Sequence, residues 1–338
     1  MAGQRADKED VEAWRELYAA ARAFNELQPW KQMSDDLLFG VLDPASRRMG
    51  YCCVLGAVRQ VFALVVYRGA EGYDCYRKMQ GISSTADFED VMAENDCLMA
   101  DFVDYEEVWK EDKAMMRAAG ARFSGPKMFP VFRSTRPGRI PWHINRAEAL
   151  VLAGALRRAV AVYEGCAAGT MDLASRPGSI LCFDSSDGRW EPEPAPSTKD
   201  VAPLAVDPGT ARSIRTLPVL PGSVWEVDAS GTSSMVKDAE GPYFAKVALV
   251  VDRASRFSFE LALFSPADSP TQRAADALSA AIRKAGFRPG KVVVRSQDLL
   301  VALRPLAAAF DVPLERGAAR SLLEVRADMT RAMKRGAL

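Results

Sequence analysis

The chain predicts an α/β protein in two domains, an α+β domain followed by a mixed-sheet α/β domain. Three observations carry this. Apolar residues recur at three- and four-residue spacing in some segments, and at two-residue spacing or in short unbroken runs in others. The second half orders these segments as hairpin, helix, buried strand, helix, strand, helix. The length, 338 residues, suits two cores better than one.

The first helix is predicted over Lys8 to Leu27, where Val11, Trp14, Leu17, Tyr18, Ala21, Phe24 and Leu27 form one apolar stripe. Pro29 ends it. Leu37 to Leu42 and Tyr51 to Val58 read as a hairpin turning at Asp43-Pro44. Val61 to Tyr67 is a third strand and Gly69 to Met79 a short helix. Cys97 to Val103 is a fourth strand, and Lys110 to Ala119 a helix closed by Gly120. Phe123 to Trp142, with four prolines, is expected to be an extended loop carrying Arg133, Arg136 and Arg139. A helix follows from Arg146 to Tyr163, then a short strand over Ser179 to Phe183. The Pro-rich stretch Glu191 to Thr198 is expected to be extended and exposed. These features divide the chain into 1–165, a linker region 166–215 and 216–338.

In the second half, Val224 to Val227 and Lys246 to Asp252 are strands, and Arg256 to Phe264 alternates with period two. Ser269-Pro270 opens a helix that Gly286 closes. Lys291 to Arg295 is an unbroken apolar strand, as expected for one covered on both faces. A helix from Leu299 to Phe310, a strand over Val312 to Glu315 and a helix from Ser321 to Arg335 complete the chain.

Composition restricts function. Lys+Arg and Asp+Glu are both 44, so no global field favours nucleic acid or membrane. The polar, acidic start lacks the apolar stretch of a secretory signal, and no apolar run is long enough to span a bilayer, so the expected location is cytoplasmic. The six cysteines form no C-x-x-C pair and read as buried reduced thiols, so no metal site is expected from them. The single histidine, His143, excludes an H-E-x-x-H zinc site and would have to serve any Ser-His-Asp arrangement. Beside Trp142 it is expected to pack. No G-x-G-x-x-G follows a strand, and no Walker A sequence or RNP-like pattern is present.

Two surface features have a functional reading. The guanidinium forks of Arg133, Arg136 and Arg139 suit an anion or phosphate, or else pair with nearby acids. Asp101, Asp104, Glu106, Glu107, Glu111 and Asp112 suit a cation or a basic partner, or else the start of a helix.

Val250-Val-Asp252-Arg-Ala-Ser255, followed by a second strand, resembles the opening of the ribonuclease H-like fold of transposase and integrase cores. The resemblance implies a pair of divalent ions held between carboxylates, with Asp252 as the acid of the first strand. It also implies an acid ending a later buried strand, where this chain has Arg295; Asp298 lies three residues on, and Glu315 or Glu324 would supply a third carboxylate. The whole chain also resembles an uncharacterised two-domain bacterial family, through Pro29-Trp30, Gly50 to Gly56, Val66 to Gly69, Glu71-Gly72, Phe132 to Gly138, Pro141-Trp142, Leu217-Pro218, Val224 to Glu226 and the Asp252 segment. That resemblance implies two domains and brings no activity.

The expectation is therefore a non-catalytic binding or adaptor protein without a cofactor, its partner a protein or a nucleic acid. The alternative is a nuclease or phosphoryl-transfer enzyme using Asp252 and Asp298 with Mg or Mn.

Overall fold

The computed structural model describes residues 8–82, 88, 91–174, 178–184, 187–197, 201–239 and 241–334. It confirms an α/β chain with two sheets. The chain divides into two compact units, Met1–Pro137 with Pro141–Lys199, and Gly138–Ile140 with Asp200–Leu338.

The first unit contains strands β1 (Leu38–Leu42), β2 (Met49–Leu55), β3 (Ala63–Arg68), β4 (Cys97–Val103), β5 (Phe129–Thr135), β6 (Ser179–Asp184) and β7 (Arg189–Pro194). They form one sheet in the order β5-β4-β3-β2-β1-β6-β7. Neighbours are antiparallel except β1 and β6, which are parallel. Its helices are α1 (Lys8–Leu27), α2 (Gly69–Gln80), α3 (Lys110–Ala118) and α4 (Arg146–Ala167).

Period-two alternation gives this sheet two apolar faces. Cys52, Val54, Leu64, Val66, Leu98 and Phe102 share a core with Leu17, Ala21 and Phe24 of α1 and Leu152, Leu156 and Val162 of α4. Tyr51, Cys53, Val65, Tyr67 and Cys97 pack on the other side with Tyr73 and Tyr76 of α2. The β1–β2 turn forms because the Asp43 carboxylate accepts a hydrogen bond from Ala45 N at 3.0 Å and Arg47 takes a left-handed φ of 56°. Helix α2 approaches the sheet closely at Gly72, where a Cβ would lie 2.7 Å from the Asp96 carbonyl oxygen and 2.8 Å from the Tyr67 carbonyl carbon.

Two proline-bearing stretches depart from the expectation of loop and linker. Phe129–Thr135, with Pro130, is strand β5, and Arg189–Pro194, with Pro192 and Pro194, is strand β7. They are the two edges of the sheet. An edge strand turns half of its N–H groups outward, so a missing donor there breaks no ladder. The expected linker 166–215 is thus partly sheet, and its last residues form helix α5 (Pro208–Arg215) of the second unit. Of the Pro-rich stretch, Thr198 lies outside the described residues, as do residues 1–7 of the polar start and Arg335 at the end of the last predicted helix.

The second unit adds strands β8 (Val219–Asp238), β9 (Gly241–Asp252), β10 (Ser258–Phe264), β11 (Arg288–Val294) and β12 (Leu314–Arg316). Its further helices are α6 (Pro270–Ala285), α7 (Gln297–Phe310) and α8 (Arg320–Lys334). The sheet order is β10-β9-β8-β11-β12. Strands β8, β9 and β10 are antiparallel in sequence; β11 runs parallel to β8, and β12 parallel to β11.

On one face, Trp225, Val227, Ala248, Val250, Val292 and Val294 share a core with Leu278 and Ile282 of α6 and Leu303 and Phe310 of α7. On the other, Val247, Leu249 and Val251 pack against Leu322 of α8. The caps of α6 form as its sequence predicts: Ser269 accepts from Gln272 N, and Gly286 ends the helix at φ 73°.

Candidate functional site

Strand β8 is far longer than the Val224 to Val227 run that its apolar residues mark. Trp225 and Val227 enter the core under α6 and α7. Glu226, Asp228 and Ser230 therefore face the other way, opposite Val251, Leu249 and Val247 of β9. All three polar residues are buried. A row of two carboxylates and a hydroxyl on an apolar, helix-covered face is costly unless its groups find partners. Ser230 Oγ finds no hydrogen bond among the described residues, so the partners of the two carboxylates define the site.

Glu226, 1% exposed, accepts from Arg253 Nε at 2.8 Å through one oxygen and from Leu322 N at 2.7 Å through the other. Leu322 lies in the first turn of α8, where backbone N–H groups lack intrahelical acceptors and the helix dipole favours an anion. Glu226 thus satisfies a donor of α8 and ties that helix to the sheet. The neighbouring Ser321 hydroxyl donates to the Arg253 carbonyl at 2.9 Å. Asp228 lies 3.8 Å from Arg295 Nη1, and both side chains are nearly buried. Arg295 follows Val294, whose register partner is Val227, so the arginine falls beside the acidic row.

The resemblance that placed Asp252 on a first strand needs correction. Strand β8 precedes it, so Asp252 ends the second strand of this sheet. It pairs in register with Trp225, which puts it on the face opposite Glu226 and Asp228. Its Oδ1 accepts from Ser255 N and Ser255 Oγ, each at 2.8 Å, and closes the β9–β10 turn. Asp298 lies in the first turn of α7, whose N-cap is Ser296. Glu315 pairs with Lys291 at 3.1 Å, and Glu324 with Arg256 at 2.8 Å. Among the described residues, no group of three or more His, Cys, Asp or Glu side chains could hold a metal ion.

The three arginines of the sequence reading pair with carboxylates of the chain. Arg133 forms a fork on Asp112, at 3.0 and 2.7 Å, and its guanidinium stacks 4.1 Å above Trp109. Arg136 reaches Glu148 at 3.4 Å. Arg139, in the second unit, forms a fork on Asp238 with both contacts at 2.8 Å. His143 packs between Trp109 and Trp142, with ring centres 5.5 and 5.1 Å away, and its Nδ1 lies 3.6 Å from Asp112 Oδ1. Burial raises the Asp112 carboxyl, but hydrogen bonds from His143 and Arg133 outweigh it and hold the group below its ordinary 3.8. Of the acidic patch, Asp101 lies within β4, where burial pushes its carboxyl up. Asp104 and Glu107 hold Lys127, at 3.0 and 2.7 Å.

Sequence reasoning missed Glu226 and Asp228. Their signal was present in the alternation Trp225-Glu-Val-Asp228, apolar on one face and acidic on the other.

Residues 14–182 match a domain of unknown function, DUF7309, and residues 210–330 match a second, DUF6930. No curated protein matches the chain. Among the described residues no helix is long and apolar enough to cross a membrane. With half of its length in the first match, the chain belongs to the DUF7309 family and carries a DUF6930 domain after it.

Proposed function

We propose that this is a non-catalytic binding protein whose second unit is a ribonuclease H-like fold with its carboxylates turned to structural use. The strand order, three antiparallel strands followed by two parallel ones with helices between, supports the fold reading. The observation that carries the functional reading is the occupancy of Glu226. Both its oxygens are engaged, one by a guanidinium and one by a helix N–H. A divalent cation needs open carboxylate oxygens, and a neighbouring positive charge opposes its binding. With Arg253 on Glu226 and Arg295 beside Asp228, the residues present do not fit one. The binding reading is further supported by edge strand β10 and the turn before it, where Phe257, Leu261 and Leu263 stand exposed. Such apolar edges are surfaces that partners cover.

The test is calorimetry of the full chain with Mn²⁺ or Mg²⁺, together with cleavage assays on a panel of single- and double-stranded DNA and RNA. The expected result is no saturable metal binding at millimolar concentration and no cleavage. Metal-dependent cleavage that Asp252→Ala or Asp228→Asn abolishes would overturn the reading in favour of a nuclease.

A further inference from the structure

The first unit holds a cavity of about 480 Å³, lined by residues of α2, the start of β1 and the start of β6. Small-molecule pockets span roughly 300–1,000 Å³. Its apolar wall includes Tyr73 and Tyr76 of α2, Leu38 of β1 and Ile180 of β6, and its charged groups are Asp36 and Arg77.

The aromatic wall is preformed. Tyr73 packs 5.1 Å from Tyr51 and 6.3 Å from Tyr76 between ring centres, and Tyr76 packs 5.4 Å from Tyr67. The Tyr76 hydroxyl donates to the Asp35 carbonyl at 3.0 Å, which fixes the ring in its plane. The charged groups are left uncommitted to each other. Arg77 is exposed in the last turn of α2 and makes no ion pair or hydrogen bond among the described residues. Asp36 accepts from the Ser34 hydroxyl through one oxygen and makes no ion pair among the described residues.

Two opposite charges that line one cavity without pairing select for a ligand that carries both. A simple anion would be drawn by Arg77 and repelled by Asp36, and a simple cation the reverse. A zwitterion gains at both ends, and an apolar group on it gains by burial against the tyrosines and Leu38. The guanidinium fork suits a carboxylate in particular.

We propose that this cavity binds a small zwitterion of the free α-amino-acid class, with its carboxylate on Arg77, its ammonium group on Asp36 and an apolar side chain against Tyr73 and Tyr76. This site goes beyond the binding role argued from the second unit and is independent of it.

Calorimetry of the full chain with L-leucine and L-phenylalanine tests the proposal, with N-acetyl-L-phenylalanine and L-phenylalanine amide as the arms that each remove one charge. The expected result is one saturable site for at least one free amino acid, weakened about tenfold or more in the arm lacking either charge. Arg77→Met and Asp36→Asn are expected to weaken binding to a similar degree, about tenfold, with unchanged circular dichroism and Tm, since both positions are exposed. Absence of saturable heat for both amino acids would overturn the site. So would equal affinity for the blocked forms, or affinity unchanged in both variants. None of these outcomes bears on the metal test, so the two readings fail separately.

Discussion

Glu226 of β8 accepts a 2.8 Å hydrogen bond from Arg253, the residue that follows β9, and the pair closes one end of the buried acidic row. The carboxylate is buried, whereas the arginine side chain is 45% exposed. The two groups are therefore unequal: the glutamate depends on its partners, and the arginine has water as an alternative. Glu226→Ala removes the acceptor of both Arg253 and Leu322 N. It is expected to destabilise the second unit by about 1–2 kcal/mol, because Arg253 can turn to water and only Leu322 N is left buried without an acceptor. Arg253→Ala is expected to cost more, about 3 kcal/mol, because it leaves the buried carboxylate without its counter-charge. Urea unfolding of the full chain measures both, and equal effects would show that the glutamate is not the dependent member.

Acid sensitivity follows from the first unit. Asp112 and Glu148 are both held below their ordinary values of 3.8 and 4.5. Burial opposes the shift in each; for Asp112, hydrogen bonds from His143 and Arg133 overcome it, and for Glu148, bonds from Ser134, Asn145 N and Arg68. A group whose folded pKa is depressed stabilises above its unfolded pKa and loses that contribution as pH falls through the folded value. The urea midpoint of the first unit is therefore expected to hold steady from neutral pH to just above 4.5, then to fall on further acidification. Asp112→Asn is expected to be less stable at neutral pH and to show a shallower acid slope. An unchanged slope would remove Asp112 from the account.

The thiols are expected to be inert in the folded chain. Burial pushes Cys53, Cys75 and Cys182 up to about 12 and Cys97 to about 11, and raises Cys52 well above its ordinary 9.0. Only the thiolate reacts readily. Cys166 is half-buried and less protected, though burial raises it too. A disulfide reagent at pH 8 should thus label Cys166 slowly and the other five cysteines only after denaturant is added. Rapid native labelling that survives Cys166→Ser would contradict this placement.

Gly72 tests the close approach of α2 to the sheet. A methyl group there would meet backbone atoms of Tyr67 and Asp96, which cannot rotate away. Gly72→Ala is expected to destabilise by about 1–3 kcal/mol through overpacking, despite the helix propensity alanine adds. Gly154 lies in α4 with open space around it, so Gly154→Ala is expected to be neutral or stabilising. Thermal unfolding of the two variants gives opposite signs if α2 packs as described.

The amphipathic stripe of α1 and the Ser269 and Gly286 caps of α6 follow from the sequence alone, because local spacing and backbone chemistry fix them. So do the two-domain α/β class and the placement of His143 against Trp142. The edges of the first sheet do not follow. Pro130, Pro192 and Pro194 argue for loop until the pairing order shows that β5 and β7 stand at the two ends of the sheet. The length of β8 does not follow either, because its glycines, serines and acids interrupt the apolar signal. Asp252 and Asp298 are the acids that strand and helix ends mark in the sequence, yet the Asp252 carboxylate closes a turn and Asp298 lies in the first turn of α7. The buried acids are Glu226 and Asp228, and their partners Arg253, Leu322 and Arg295 lie from 27 to 96 residues away. Periodicity assigns each of these residues to a face, but only tertiary packing determines that a helix N-terminus and two guanidinium groups meet the carboxylates. Whether those acids are open to a cation or committed to the fold is decided at that level.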